Sequence, residues 1–214
     1  MLGLAIHTSS PELGLALIHD SGDCRHQVWP FGRELAAHLH PCLQAFLGSY
    51  AWSDLDFLSV AIGPGGFTGT RIGVVVARTL AQQLEIPLFG ISSLAAVAES
   101  LRDEAAIAQS PLTALPHPHI AVQMQAQRGE LFGAIYDPTP TELISALPDQ
   151  VFTQEAWSKT LVDWPEPYKV TTVEGSLAQT VPQVLALAFQ QWQQGHQPHW
   201  SEVLPFYGQH PVDV

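Results

Sequence analysis

The stretch that decides the fold is residues 63–73, Gly-Pro-Gly-Gly-Phe-Thr-Gly-Thr-Arg-Ile-Gly. An apolar run at 55–62 precedes it and a helical pattern at 70–84 follows it, so we expect a buried strand, a glycine-rich loop and a helix. Glycines at such a junction let two backbones approach closely, and the amides at a helix N-terminus can hold an anion. The sequence leaves both interpretations open: tight packing of helix on sheet, or an anion site.

Two familiar phosphate-binding loops do not match this stretch. A P-loop ends in Gly-Lys-Ser/Thr, and no lysine lies nearby. A dinucleotide-binding fingerprint has a different glycine spacing and follows the first strand of a βαβ unit, whereas this loop follows several strands. We therefore expect no nucleotide cofactor at this loop.

Outward from the loop, apolar runs separated by turn residues predict two similar sets of elements. The first set comprises strands at 2–8, 13–19 and 24–30, a helix at 33–49, a strand at 55–62, a helix at 70–84, a strand at 87–91 and a helix at 92–101. The second comprises strands at 119–125, 130–137 and 143–151, a helix at 154–161, a strand at 168–173 and a helix at 177–193. Both sets place a meander of strands before alternating helices and strands.

The repeat predicts an α/β protein of two lobes. We assign residues 1–102 to an N-terminal lobe, the Ala-, Pro- and His-rich residues 103–119 to a linker, and residues 120–214 to a smaller C-terminal lobe. The last residues are expected to be able to pack back on the first lobe. Two RNase H-like lobes of this kind form the architecture of actin and Hsp70, so we expect an actin/Hsp70-like fold.

Residues 63–73 resemble the GPGSFTGxRIG signature of the TsaB (YeaZ) family. That family is the bacterial partner of TsaD, the catalytic subunit that forms threonylcarbamoyladenosine in tRNA. The likeness extends to residues 2–9, 13–22, 87–94, 125–136 and 204–211, and it is stronger before residue 101 than after it. The signature-loop residues carried over by the resemblance are Gly63, Pro64, Gly65, Phe67, Thr68 and Gly69.

Three positions depart from the family pattern. His7 stands where the family has an aspartate on the first strand, and Gln125 and Gln127 stand where it has Asp and Arg. A histidine does not hold Mg²⁺ as a hard carboxylate does. We therefore expect no working ATP site, no metal and no cofactor in this chain.

The charge balance argues against direct contact with nucleic acid. The chain has 20 acidic and 8 basic side chains, a net charge of −12. Phosphate contacts need Lys and Arg, so we expect tRNA to be reached only indirectly, through a partner. No apolar run approaches the ~20 residues of a membrane span and the first residues lack a basic leader. With two cysteines in no metal or disulfide spacing, the expectation is a cytoplasmic protein.

No motif indicates catalysis. Neither His38-x-His40 nor His117-x-His119 has the spacing of a metal site on a helix, and an HExxH peptidase motif is absent from the sequence. Ser92 and Ser93 precede a helix, where capping explains them. The resemblance likewise implies an accessory subunit of a tRNA-modifying complex, neither an enzyme nor a functional peptidase.

The helix at 70–84 is apolar on most of its circumference, so it needs cover beyond its own sheet. The resemblance implies that this helix and the helix at 33–49 form the surface that joins TsaD, and that TsaB alone homodimerises there. The expected contact residues are Leu39, Leu43, Leu47, Thr70, Arg71, Val74, Val75 and Arg78.

Three hypotheses follow. In the first, the chain docks on a TsaD-like catalytic subunit, and a TsaE-like ATPase joins through the complex. In the second, it is a free-standing actin-fold small-molecule kinase or ATPase, with Glu130 or Asp137 as the carboxylate that would hold Mg²⁺. In the third, it is a structural homodimer with an unrelated partner.

Overall fold

The computed structural model describes residues 1–19, 24–108, 118–206 and 208, and for 103–108 the backbone only. The described strands are β1 (Leu2–His7), β2 (Leu13–His19), β3 (Cys24–Trp29), β4 (Phe57–Ala61), β5 (Leu88–Ile91), β6 (His119–Gln125), β7 (Leu131–Pro138), β8 (Leu143–Phe152) and β9 (Tyr168–Val173). The described α-helices are α1 (Leu35–Leu47), α2 (Phe67–Leu84), α3 (Ser93–Ala108), α4 (Gln154–Val162) and α5 (Val181–Gln193).

The chain divides into two compact units. The first contains Met1–Ala96 and Gly175–Phe206, and its sheet has the strand order β3-β2-β1-β4-β5. The first three strands form an antiparallel meander, while β4 and β5 run parallel to β1. Both faces of β1 and β4 are buried, because helices cover each side of the sheet.

The two faces of this sheet have different helices. On one face, Leu4 and Ile6 of β1 form a core with the leucines of α1 and with Val74 of α2. On the other face α5 packs against β1, β2 and β4, and the ring of Phe57 stacks on Phe189. The strands predicted from apolar runs are therefore confirmed, with bounds that differ by a residue or two.

The second unit contains Val97–Glu174, and its sheet has the order β8-β7-β6-β9. Here β6, β7 and β8 form the antiparallel meander and β9 runs parallel to β6. Trp157 of α4 fills the core against Ala121 and Ile135. The strand order repeats that of the first four strands of the first sheet, which confirms the RNase H-like topology expected for an actin/Hsp70-like fold.

The boundaries of the lobes differ from those predicted. Helix α5 belongs to the first unit and not to residues 120–214, because its buried Val184, Leu185 and Ala188 cover the β1 face of the first sheet. Helix α3 continues to Ala108, so the first part of the predicted 103–119 linker is helical. Residues 109–117 of that linker lie outside the described part of the chain.

Helix α3 begins as the sequence predicts. The Ser92 hydroxyl accepts hydrogen bonds from the amides of Leu94 and Ala95, so Ser92 is the helix cap. In the described ranges, no helix has both the length and the apolar character that crossing a bilayer requires.

Candidate docking surface

Helix α2 has one side in the core and one side in solvent. Thr70, Val74, Ala77 and Ala81 face inward and are buried. The opposite side carries a row that we call the α2 stripe, whose members recur at intervals of three or four residues and so share one face. The α2 stripe consists of Phe67, Arg71, Val75, Arg78 and Gln82. Val75 is 60% exposed and Phe67 is 40% exposed, so two apolar side chains of one helix face lie in solvent together.

Five of the residues expected at the interface lie instead in the core. The side chains of Leu39, Leu43, Leu47, Thr70 and Val74 are at most 4% exposed. The leucines of α1 and Val74 pack in the same apolar cluster as the sheet, and the Thr70 hydroxyl donates to the carbonyl of Gly66. The prediction is corrected for these five residues, because side chains that the chain itself covers cannot meet a partner.

The remaining expected residues, Arg71, Val75 and Arg78, lie on the α2 stripe. The Arg71 guanidinium lies 5.1 Å from the centre of the Phe67 ring, and that of Arg78 lies 5.7 Å from the centre of the Trp200 ring. Such stacking holds a long side chain in place and leaves the edge of the guanidinium for hydrogen bonds. Sequence reasoning missed Trp200, which lies far along the chain, and assigned Phe67 to the loop only.

The signature loop packs against the end of β1. The Gly66 amide donates to the carbonyl of Ser9, and the Gly63 carbonyl accepts from the amide of Ser93 at the start of α3. A Cβ on Gly65 would lie 2.2 Å from the Ser9 oxygen, and one on Gly69 would lie 2.3 Å from the Thr8 oxygen. These glycines are therefore required by a close approach of backbones.

This geometry favours the packing interpretation of the loop over an anion site. The space beside Gly65 and Gly69 is filled by carbonyl oxygens, which repel an anion. The loop also ends earlier than predicted, because Phe67, Thr68 and Gly69 form the first turn of α2. Gly63 and Pro64 are buried, whereas Thr68 is exposed.

His7 lies at the end of β1 and is fully buried. Its Nδ1 accepts a hydrogen bond from the amide of Ser9 at 3.3 Å, so the proton of the neutral ring is on Nε2. Within the described residues, that Nε2 atom has no hydrogen-bond partner. Burial lowers the pKa of His7 to about 3, so the ring is uncharged at neutral pH.

We expect His7 to make the protein sensitive to acid. In the unfolded chain the ring titrates near pH 6.5, so below that pH the unfolded state binds a proton that the folded state excludes until about pH 3. Between about pH 7 and 4.5 this difference lowers the free energy of unfolding by about 2–3 kcal/mol. Urea unfolding of wild type and of His7→Asn at both pH values measures this change in the free energy of unfolding. Asparagine keeps an acceptor for the Ser9 amide but does not titrate, so an equal pH dependence in both proteins would contradict the assignment.

The other singled-out polar residues have local structural contacts. His38 stacks on Phe31, with ring centres 4.4 Å apart. His119 accepts a hydrogen bond from the indole of Trp164, and His117 lies outside the described residues. The Gln125 amide donates to the carbonyl of Glu130 and so closes the turn between β6 and β7. Throughout the described ranges, no three His, Cys, Asp or Glu side chains lie close enough together to hold a metal ion.

The sequence is similar to that of proteins with a known role. The sequence profile of the family described as "TsaD: tRNA N6-adenosine threonylcarbamoyltransferase" matches residues 31–191. The chain is 30% identical over 166 residues to the tRNA threonylcarbamoyladenosine biosynthesis protein TsaB of Bacillus subtilis, covering 77% of this chain and 67% of that protein. It is 35% identical over 99 residues to the Escherichia coli TsaB, covering 45% and 42% of the two chains.

A solved structure supports the fold independently. YeaZ from Pseudomonas aeruginosa superposes with a TM-score of 0.75 at 23% identity, covering 97% of this chain and 100% of that one. At this identity the likeness concerns the fold alone. The superposition covers both RNase H-like units, so the two proteins share this fold over nearly their whole matched length.

Proposed function

The chain belongs to the TsaB (YeaZ) family, and on that premise we propose that it is a non-catalytic subunit of the cytoplasmic machinery that forms threonylcarbamoyladenosine in tRNA. In this proposal it docks on a TsaD-like catalytic subunit through the α2 stripe, together with the outward side of α1. It thereby favours the active arrangement of the catalytic subunit, because this chain binds that arrangement more tightly than the inactive one.

The observation that carries the proposal is the composition of the α2 stripe. Its centre is Val75, a β-branched apolar residue that is 60% exposed. Arg71 and Arg78 flank it, each held against an aromatic ring. Arginine and aromatic side chains are enriched at the energetic centres of protein interfaces, and a helix face with an apolar centre gains free energy when a partner covers it.

A non-catalytic role is supported by the end of β1. The ring of His7 is neutral, and its described hydrogen bond is to the amide of its neighbour Ser9. The signature loop is engaged with the backbone of Thr8 and Ser9, so Gly65 and Gly69 are explained by packing. Neither feature supplies a nucleophile or a general base.

The remaining partners follow from this role. A TsaE-like ATPase and tRNA are reached through the catalytic subunit, because a chain of net charge −12 repels a polyanion at long range. When the catalytic subunit is absent, two copies of this chain are expected to pair through the same stripe, which would cover Val75 in a symmetric homodimer.

The experiment that tests the proposal is size-exclusion chromatography with light scattering of this protein mixed with TsaD from the same cell. The expected result is a complex whose mass exceeds that of TsaD by one 23.3 kDa chain. Failure to form any complex would remove the proposal. A thermal shift of the isolated protein with millimolar ATP and Mg²⁺ would then favour the kinase or ATPase alternative.

A further inference from the structure

The charges of this protein are distributed unevenly. The chain carries 20 acidic side chains, yet α1, of 13 residues, and α2, of 18 residues, contain no Asp or Glu. Arg71 and Arg78 are the charged residues of α2, and α1 has only His38 and His40 as ionisable cationic groups. These two helices therefore carry no carboxylate of their own in a strongly acidic protein, and the nearest in sequence are Glu34 before α1 and Glu85 after α2.

In the part of the chain that the structure describes, the two arginines of α2 have no carboxylate close enough for an ion pair. Among the ion pairs of the described residues, none includes Arg71 or Arg78. Both guanidinium groups contact aromatic rings instead, of Phe67 and Trp200. A stacked guanidinium remains fully charged, and its N–H edge matches a carboxylate in a two-bond geometry.

From this arrangement we propose that the partner's docking face is acidic, with carboxylates that pair with Arg71 and Arg78 on either side of an apolar contact at Val75. The proposal rests on the docking role proposed above and adds the chemistry of the opposing surface. The two arginines are seven residues apart on α2, so the carboxylates would be separated by about 10 Å along the helix axis.

A protein fits this surface better than a nucleic acid. Two arginines would release few counterions from RNA, and such binding is weak at physiological salt. The exposed apolar side chains of Val75 and Phe67, by contrast, gain free energy only against an apolar surface. The observations therefore favour a protein face with an apolar centre and an acidic rim.

The uneven charge also has a kinetic consequence. An acidic partner is repelled by most of this protein and attracted to the α2 stripe, so encounters would be steered to the docking face. Steering of this kind raises the association rate at low salt and weakens as salt screens the charges. The proposal therefore predicts a salt-dependent association rate that depends on Arg71 and Arg78.

The test measures binding of TsaD to the full chain by surface plasmon resonance at about 50 mM and about 500 mM NaCl. Reversing both charges, with Arg71→Glu and Arg78→Glu together, is expected to weaken binding at low salt by about thirtyfold or more, with a slower association rate. The matched control is Lys159→Glu with Lys169→Glu, which changes the net charge equally at two exposed sites of the second unit. This control is expected to stay within about threefold of wild type.

The outcomes separate this inference from the docking role. If wild type binds TsaD but neither salt nor the arginine reversal affects binding beyond the lysine control, the acidic-face proposal is wrong and the docking role stands. If no complex forms, both are wrong. If the arginine reversal instead abolishes binding of purified tRNA to this protein alone, the stripe is a nucleic-acid surface and the acidic-face proposal is overturned.

Discussion

Val75→Asp is expected to weaken binding to a TsaD-like partner by about 100-fold or more, because it places a carboxylate at the apolar centre of the docking face, where it also competes with the partner's carboxylates for Arg71 and Arg78. Val75 lies between the two arginines of the α2 stripe and is 60% exposed in the isolated chain. An aspartate there is solvated in the free protein, so it adds little cost to folding beyond a small loss of helix propensity. In the complex the same carboxylate loses its water, and that cost falls on binding alone.

The control for this prediction is Val162→Asp. Val162 is 80% exposed at the end of α4 in the second unit, so the chemical change is the same but lies away from the α2 stripe. We expect this variant to bind as wild type does. Both variants are checked by circular dichroism and then compared by light scattering with the partner. A folded Val75→Asp protein that still forms the complex would contradict the position of the docking face.

The strands and most helices were predictable from the sequence because their signals are local. The meander of β1 to β3 consists of apolar runs separated by turn residues, and Ser92 caps α3 through its own hydroxyl. The start of α2 was harder to predict from the sequence. Phe67, Thr68 and Gly69 have the composition of a loop, yet they form a helical turn because Gly69 lets the helix approach Thr8.

Long-range packing limited the prediction of the lobes and of the docking face. Helix α5 follows the second unit in sequence, but its apolar side covers the first sheet, and nothing in its own pattern specifies which sheet that is. The apolar periodicity of α2 marks Val74 and Val75 alike, although Val74 is buried and Val75 is exposed. Which of these two neighbouring valines is buried depends only on where the sheet lies relative to the helix.

Gly65→Ala is expected to lower the free energy of unfolding by about 1–3 kcal/mol, the usual cost of forcing extra atoms into a close contact. The new Cβ would lie 2.2 Å from the Ser9 oxygen and 2.6 Å from the Ser9 Cβ. Those atoms belong to backbone and to the first atom of a side chain, so they cannot swing aside. Gly65 does not have a positive φ, so this cost comes from contact and not from backbone strain.

The neighbouring glycine provides the matched control. A Cβ on Gly66 would meet only the Ser9 oxygen, at an ordinary 3.6 Å, and its φ is −62°. Gly66 is the N-cap of α2, where alanine costs about 1 kcal/mol relative to glycine, so Gly65→Ala must be the less stable variant even with that cost in the control. Replacing either glycine also restricts the unfolded chain, which stabilises both variants by a similar few tenths to about 1 kcal/mol and cancels in the comparison. Urea unfolding of the two variants therefore isolates the close approach to Ser9. Equal stabilities would show that Gly65 is not required for packing, and the anion interpretation of the loop would then be favoured over the packing one.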